Sequence, residues 1–155
     1  MINLYDYYNN PSELIGYENS FLITPIGRTP NRISKHEPQK LYNYVALVMK
    51  ERWPEAEPYI MKDPEYAHLY ARDVIGGRWP DAEPYIMEYP LPVYKYAKDV
   101  IKGRWPEAEP VILKNAHAAS LYARNIMKKR WPEAEPIIKT DTYAYKDYVN
   151  YFEDN

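Results

Sequence analysis

A seven-residue phrase occurs four times in this chain at one fixed step. It reads Arg52-Trp53-Pro54-Glu55-Ala56-Glu57-Pro58, and it returns at Arg78–Pro84 (with Asp81 for the first Glu), Arg104–Pro110 and Arg130–Pro136. The step from Trp53 to Trp79, Trp105 and Trp131 is 26 residues each time, without insertion, and these are all 4 tryptophans of the protein. A short constant period is the mark of stacked units, none of which can bury its apolar face alone. The pattern predicts an all-α fold: a short α-solenoid of two-helix, 26-residue repeats preceded by an irregular N-terminal cap.

The second half of each unit carries the clearer helical signal. Asp63 suits a helix N-cap, and Pro64 suits the first turn, where a missing N–H costs nothing. Ala67, Tyr70, Ala71, Val74 and Ile75 then form a stripe at i, i+3, i+4, i+7 and i+8, and Gly76-Gly77 supply a stop. The stripe returns as Val93, Tyr96, Ala97, Val100 and Ile101 ahead of Gly103, and as Ala119, Tyr122, Ala123, Ile126 and Met127. The first half is shorter because Pro54 and Pro58 restrict where a helix can begin. An opening turn over 54–57 and a helix of barely two turns ending near Lys62 are expected. Glu55 and Glu57 sit at its positive end, with Arg52, Arg78, Arg104 and Arg130 as ladder partners.

Three columns are predicted to hold the repeat core: Trp53, Trp79, Trp105 and Trp131; Ile60, Ile86, Ile112 and Ile138; and Tyr70, Tyr96, Tyr122 and Tyr148, extended backwards by Tyr44. The tryptophans read as staples of the chain entry onto the core. The tyrosines read as lying at the seam between repeats with their hydroxyls on water or backbone. Helices this short require such packing to persist.

The periodicity divides the chain into an irregular N-terminal cap (1–30) and a helical array (31–155). The array comprises a partial repeat (31–52), full repeats (53–78, 79–104, 105–130), and a final repeat with C-terminal cap (131–155). In the partial repeat a first helix is expected around Asn31–Lys35 and a second over Pro38–Glu51. Phe21-Leu22-Ile23-Thr24 reads as a short extended piece.

Composition narrows the function classes. The net charge is −2 and the pI about 5.9, whereas duplex-DNA binders tend to carry a basic stripe and high pI. No run of about 18 apolar residues suggests a membrane span, and the first residues lack the pattern of a secretory signal. The absence of cysteine removes thiol chemistry and fits a cytoplasmic setting. His36, His68 and His117 share no ligand spacing and read as surface residues, so no metal is expected. No nucleophile elbow or glycine-rich phosphate loop is present. The expectation is a protein without enzymatic activity and without a cofactor.

What varies between units is then informative. One slot reads Glu65, Leu91, His117, Tyr143, and another His68, Tyr94, Ser120, Lys146. Both lie off the apolar stripe, so both are expected at the surface, and variable slots of a solenoid line its binding face. These eight residues are the candidate partner-binding set. The alternative is that such exposed slots simply drift. Recurrent Arg72, Lys98 and Arg124, with Lys102, Lys128 and Lys129 nearby, keep open single-stranded nucleic acid as a ligand, although Asp73 and Asp99 blunt that field.

The motif, followed by Tyr59-Ile60-Met61-Lys62-Asp63-Pro64-Glu65-Tyr66-Ala67 and Tyr70-Ala71-Arg72-Asp73-Val74-Ile75, resembles helical repeats of predicted tailed-bacteriophage proteins, over roughly 38–152. The chain departs from that pattern at Tyr89-Pro90-Leu91-Pro92 and at Asn115-Ala116. The resemblance implies a phage origin, and hence a host cytoplasm as the site of action and a bacterial host protein, such as a defence protein, as the target of an inhibitor. A virion or assembly scaffold is the competing expectation.

Overall fold

A computed structural model describes residues 21–23 and 32–153. The described residues are mostly helical, with one antiparallel strand pair: β1 (Phe21–Ile23) against β2 (Arg32–Ser34), in the register Leu22 opposite Ile33. The expected helix around Asn31–Lys35 is therefore absent and a strand stands there. Arg32-Ile33 is a short stretch with a β-branched residue, and its backbone groups are satisfied by β1 rather than within a turn of helix. The rest of the expected N-terminal cap lies outside the described residues.

The helices follow in pairs. After α1 (Pro38–Tyr44) come α2 (Glu57–Ile60) and α3 (Pro64–Tyr70), α4 (Glu83–Ile86) and α5 (Pro90–Tyr96), and α6 (Glu109–Ile112) and α7 (Ala116–Tyr122). The last pair is α8 (Glu135–Ile138) and α9 (Thr142–Glu153). Each of α1, α3, α5 and α7 packs on the short helix and on the long helix that follow it. The Ile60, Ile86, Ile112 and Ile138 column is fully buried along this stack, as are Tyr70, Tyr96, Tyr122 and Tyr148. Each such isoleucine contributes about 1.5–3 kcal/mol by leaving water, which holds helices of one turn that could not persist alone. The first helix of each pair is that single turn and not the expected two: Pro54 and Pro58 together delay its start to Glu57, and the chain turns again at Met61 and Lys62.

The long helices change form partway. Val45–Met49, Ala71–Ile75, Ala97–Ile101 and Ala123–Met127 continue α1, α3, α5 and α7 as π-helix. Each ends on a left-handed residue: Lys50, Gly76, Lys102 or Lys128. The wide turn is closed by doubled bonds, since the Gly76 and Gly77 N–H groups both donate to the Ala71 carbonyl, and Lys102 and Gly103 do the same on Ala97. Glycine thus takes the left-handed position only at Gly76; after α5 it is Lys102, one residue before the expected Gly103. The long helix α9 remains α-helical over its 12 residues.

The repeated phrase builds one network per unit. The Trp53 N–H donates to the Tyr70 hydroxyl (3.0 Å), which donates to Glu57 Oε1 (2.9 Å), and Arg52 grips the same carboxylate with two bonds of 2.8 Å. Trp79, Tyr96, Glu83 and Arg78 repeat it, as do Trp105, Tyr122, Glu109 and Arg104. The last copy is looser, with a single Arg130–Glu135 bond of 3.3 Å and a Tyr148–Glu135 contact of 3.4 Å. Each tyrosine also carries the next unit's tryptophan on its ring, with centroids 5.0 Å apart for Tyr70 and Trp79 and 5.2 Å for Tyr96 and Trp105. Such ring pairs add about 0.5–1.5 kcal/mol beyond burial. The tyrosine therefore ties its own unit by the hydroxyl and the next by the ring. On Tyr148 Phe152 packs edge-on instead, with centroids 5.0 Å apart.

Candidate functional site: the edge formed by the starts of the long helices

The structure separates the two variable slots. His68 is only 2% exposed and Tyr94 and Ser120 are buried too; only Lys146, on the final helix, is at the surface. The expectation that His68, Tyr94 and Ser120 belong to an exposed binding face is corrected, and so is the surface placement of His68. The reason is the tight approach of successive long helices, which encloses this slot between units. Its side chains reach across the seam to the π segment of the following unit. Tyr42 donates to Asp73 (2.6 Å), His68 Nε2 lies 3.1 Å from Asp99, and Asn125 donates to the Tyr94 hydroxyl (2.7 Å). Each pair is separated by 31 residues. Ser120 instead donates to the Ala144 carbonyl (3.1 Å).

The seam shapes titration. Burial pushes the His68 imidazole below its ordinary pKa against the opposing pull of Asp99, and its Nδ1 meets no hydrogen-bond partner among the described residues. Burial and the Asp73 carboxylate push the Tyr42 phenol up to about 12. Within the repeat network, burial raises Tyr70 and Tyr96, and takes Tyr122 to about 12. The bonds from Arg52 hold the Glu57 carboxyl below the usual range despite its burial. The tyrosine shifts of the repeat network recur with its bonds, whereas Tyr42, Arg72, Asp73, His68 and Asp99 act on one another along one stretch of the seam. Among the described residues no His, Asp and Glu side chains gather as a metal site.

The other slot stays at the surface, on the edge where the long helices begin. Glu65 pairs with Lys95 of the next helix through both carboxylate oxygens (2.7 and 2.8 Å). Leu91 is 39% exposed and Tyr143 85% exposed, and His117 is exposed. The start of α5 breaks the rule of its neighbours. Asp63 and Asn115 cap α3 and α7 with their side chains, accepting from Glu65 and Tyr66 N–H and from Ala118 N–H respectively. Tyr89 stands at the equivalent place before α5, in the same extended backbone, with no capping bond. Pro92 removes one of the two donors that Asp63 serves at the start of α3, and Tyr89 brings no carboxylate, so the helix starts without a side-chain cap. The side chain released from capping, Tyr89, is 53% exposed.

Together these residues form an open cleft of ≈ 330 Å³. Tyr89, Pro90, Leu91 and Pro92 make one wall, Asp63, Pro64 and Glu65 the other, and Asn115 lies at the end. A larger cleft of ≈ 530 Å³ lies between the last two motif segments. Its arginines, Arg104 and Arg130, are bonded to Glu109 and Glu135, and Lys129 and Glu133 line it as well.

Sequence reasoning identified Leu91 through its slot but missed Tyr89, Pro90 and Pro92 as members of a site. The signal was the departure of Tyr89-Pro90-Leu91-Pro92 from the Asp-Pro-Glu-Tyr of the preceding unit. No family model matches the chain, and no curated protein or solved structure matches it either.

Proposed function

We propose that this chain is an α-solenoid of 26-residue repeats that acts without catalysis, by binding a partner protein along the edge where its long helices begin. The observation that carries this reading is the start of α5. One unit gives up the side-chain cap its neighbours keep, and it sets Tyr89 and Leu91 in a cleft between prolines. A position that breaks the local rule of a repeat without a packing gain is where function is sought. Tyrosine is also a favoured interface anchor. Tyr143, exposed at the matching position on α9, extends the edge.

The nucleic-acid alternative is less well supported, because Arg72 is bonded twice to Asp73 (2.6 and 2.8 Å) and Arg124 is half-buried. What remains is not a continuous cationic row. The resemblance to phage repeats makes a bacterial host protein the first partner to seek. Among the described residues no helix is long and apolar enough to cross a membrane.

The test compares the tagged chain with a Tyr89→Asp/Leu91→Glu variant, which recreates the Asp63-Pro64-Glu65 start one unit later. Both are passed through nuclease-treated bacterial lysate. One stoichiometric host protein held by the native chain and lost from the variant supports the reading. Retention by both, or by neither, refutes it.

A further inference from the structure

The two walls of the α5 cleft differ in chemistry, and that difference specifies an occupant. One wall is apolar: Tyr89, Leu91 and the rings of Pro90 and Pro92. The other presents Asp63 and Glu65, the only charged side chains that line the cleft. Asp63 spends one oxygen, Oδ1, on the Glu65 and Tyr66 N–H groups. Glu65 is bridged to Lys95, but both ends of that bridge are open to solvent, with the side chains 43% and 41% exposed. An exposed pair of this kind is worth little, about 0–1 kcal/mol, so an incoming cation can take Lys95's place. Neither carboxylate is buried or sealed.

We infer that the cleft takes a polypeptide segment in which an apolar side chain is flanked by a lysine or arginine. The apolar group lies between Tyr89 and the proline rings, and the cation lies on Asp63 and Glu65. This rests on the reading of the edge as a protein-binding surface and adds to it the chemistry of the partner. An acidic segment is disfavoured by the Asp63 carboxylate and gains only by drawing Lys95 away from Glu65. A purely apolar segment forgoes them, and charge complementarity of this kind sets partner choice more than affinity.

The experiment pans a displayed random dodecapeptide library on the native chain, with counter-selection on Tyr89→Asp/Leu91→Glu. The strongest peptides are then synthesised and titrated by fluorescence anisotropy. The expected consensus is Leu, Ile, Phe or Trp with Lys or Arg within two positions. Binding of such a peptide should fall about tenfold or more in Tyr89→Asp/Leu91→Glu. It should fall about threefold in Asp63→Asn/Glu65→Gln, and that loss should vanish in high salt. Asp63→Asn is a safe variant because Asn115 caps α7 in that role. Circular dichroism of both variants must match the native chain.

Enrichment of acidic or uncharged apolar peptides that still need Tyr89 and Leu91 overturns the inference and leaves the docking edge standing. Peptides that bind the variants as well as the native chain, or no enrichment, overturn both.

Discussion

Replacing Tyr96 with phenylalanine isolates the bond that joins the repeated phrase to its helix. The ring is fully buried and stays in place, so no cavity is made. The hydroxyl it loses accepts the Trp79 N–H at 2.6 Å and donates to Glu83 at 3.1 Å. Glu83 keeps its two bonds from Arg78 (2.8 and 2.7 Å), so the carboxylate remains satisfied. The Trp79 N–H does not, and a buried donor left without an acceptor costs about 1–3 kcal/mol. With the lost bond to a charged acceptor, the expected cost is about 2–3 kcal/mol, or a fall in Tm of about 5–10 °C for a chain of this size. Tyr148→Phe is the internal control. Its hydroxyl still accepts from Trp131 at 2.7 Å, but its contact with Glu135 is 3.4 Å, and that carboxylate is 23% exposed where Glu83 is 11%. It orphans the Trp131 N–H just as Tyr96→Phe orphans that of Trp79 and spares only the bond to a charged acceptor, so it should cost about 1–2 kcal/mol, less than Tyr96→Phe. The assay is urea unfolding followed by far-ultraviolet circular dichroism and tryptophan fluorescence. A cost below about 0.5 kcal/mol for Tyr96→Phe, or a larger one for Tyr148→Phe, would refute the argument that this hydroxyl holds the unit together.

The raised phenols give an alkaline limit: their contribution is complete below the ordinary tyrosine pKa of about 10 and is lost as pH rises through the folded values, about 12 for Tyr122. Absorbance at 295 nm should therefore show these tyrosines ionising together with loss of helix, and independent ionisation near pH 10 with helix intact would contradict their burial. His68 has the opposite sign: its folded pKa is depressed, so its contribution is complete above the ordinary value of about 6.5 and is lost as pH falls below it through the lower folded pKa. Because Asp99 opposes that depression, Asp99→Asn should lower the His68 midpoint further in an NMR titration, and an upward move would overturn the assigned pairing. A double-mutant cycle of Tyr94→Phe and Asn125→Ala should give a coupling of about 1 kcal/mol; additive losses would mean the 2.7 Å bond across the seam contributes nothing to stability.

The periodic part of the molecule was legible because burial and period coincide: the Trp, Ile and Tyr columns recur where the core recurs. The same logic misplaced His68, Tyr94 and Ser120. A residue that changes from unit to unit looks unconstrained when each unit is read alone, but these side chains answer to a partner in the next unit. The readable signal was the pairing itself: Tyr42 with Asp73, His68 with Asp99 and Tyr94 with Asn125 keep one offset and remain hydrogen-bonding partners although the residues differ. The two glutamates of the phrase also looked equivalent. Only the second, as in Glu57, reaches arginine and tyrosine, since it alone lies at the helix start facing inward. The π turns left no trace, because an apolar stripe at i+7 and i+8 reads the same whether the last turn is tight or wide. At the α5 cleft the sequence displayed the departure but not its geometry, which depends on side chains from three successive helices.

The seam pairs bear on how such a chain can lengthen. Duplicating the 79–104 segment would set one copy's Tyr94 against the next copy's Asp99, the same chemistry as Tyr42 on Asp73. Duplicating 53–78 would set His68 against Asp73, a match for His68 on Asp99. Duplicating 105–130 would confront Ser120 with Asn125, and no described seam joins such a pair. Two of the three full units would thus meet a copy of themselves through a side-chain pair already described, while Ser120 would rely on a backbone carbonyl, as it does on Ala144. Tyr148 differs from the three tyrosines before it, for it carries Phe152 edge-on where Tyr70, Tyr96 and Tyr122 each carry a tilted tryptophan ring.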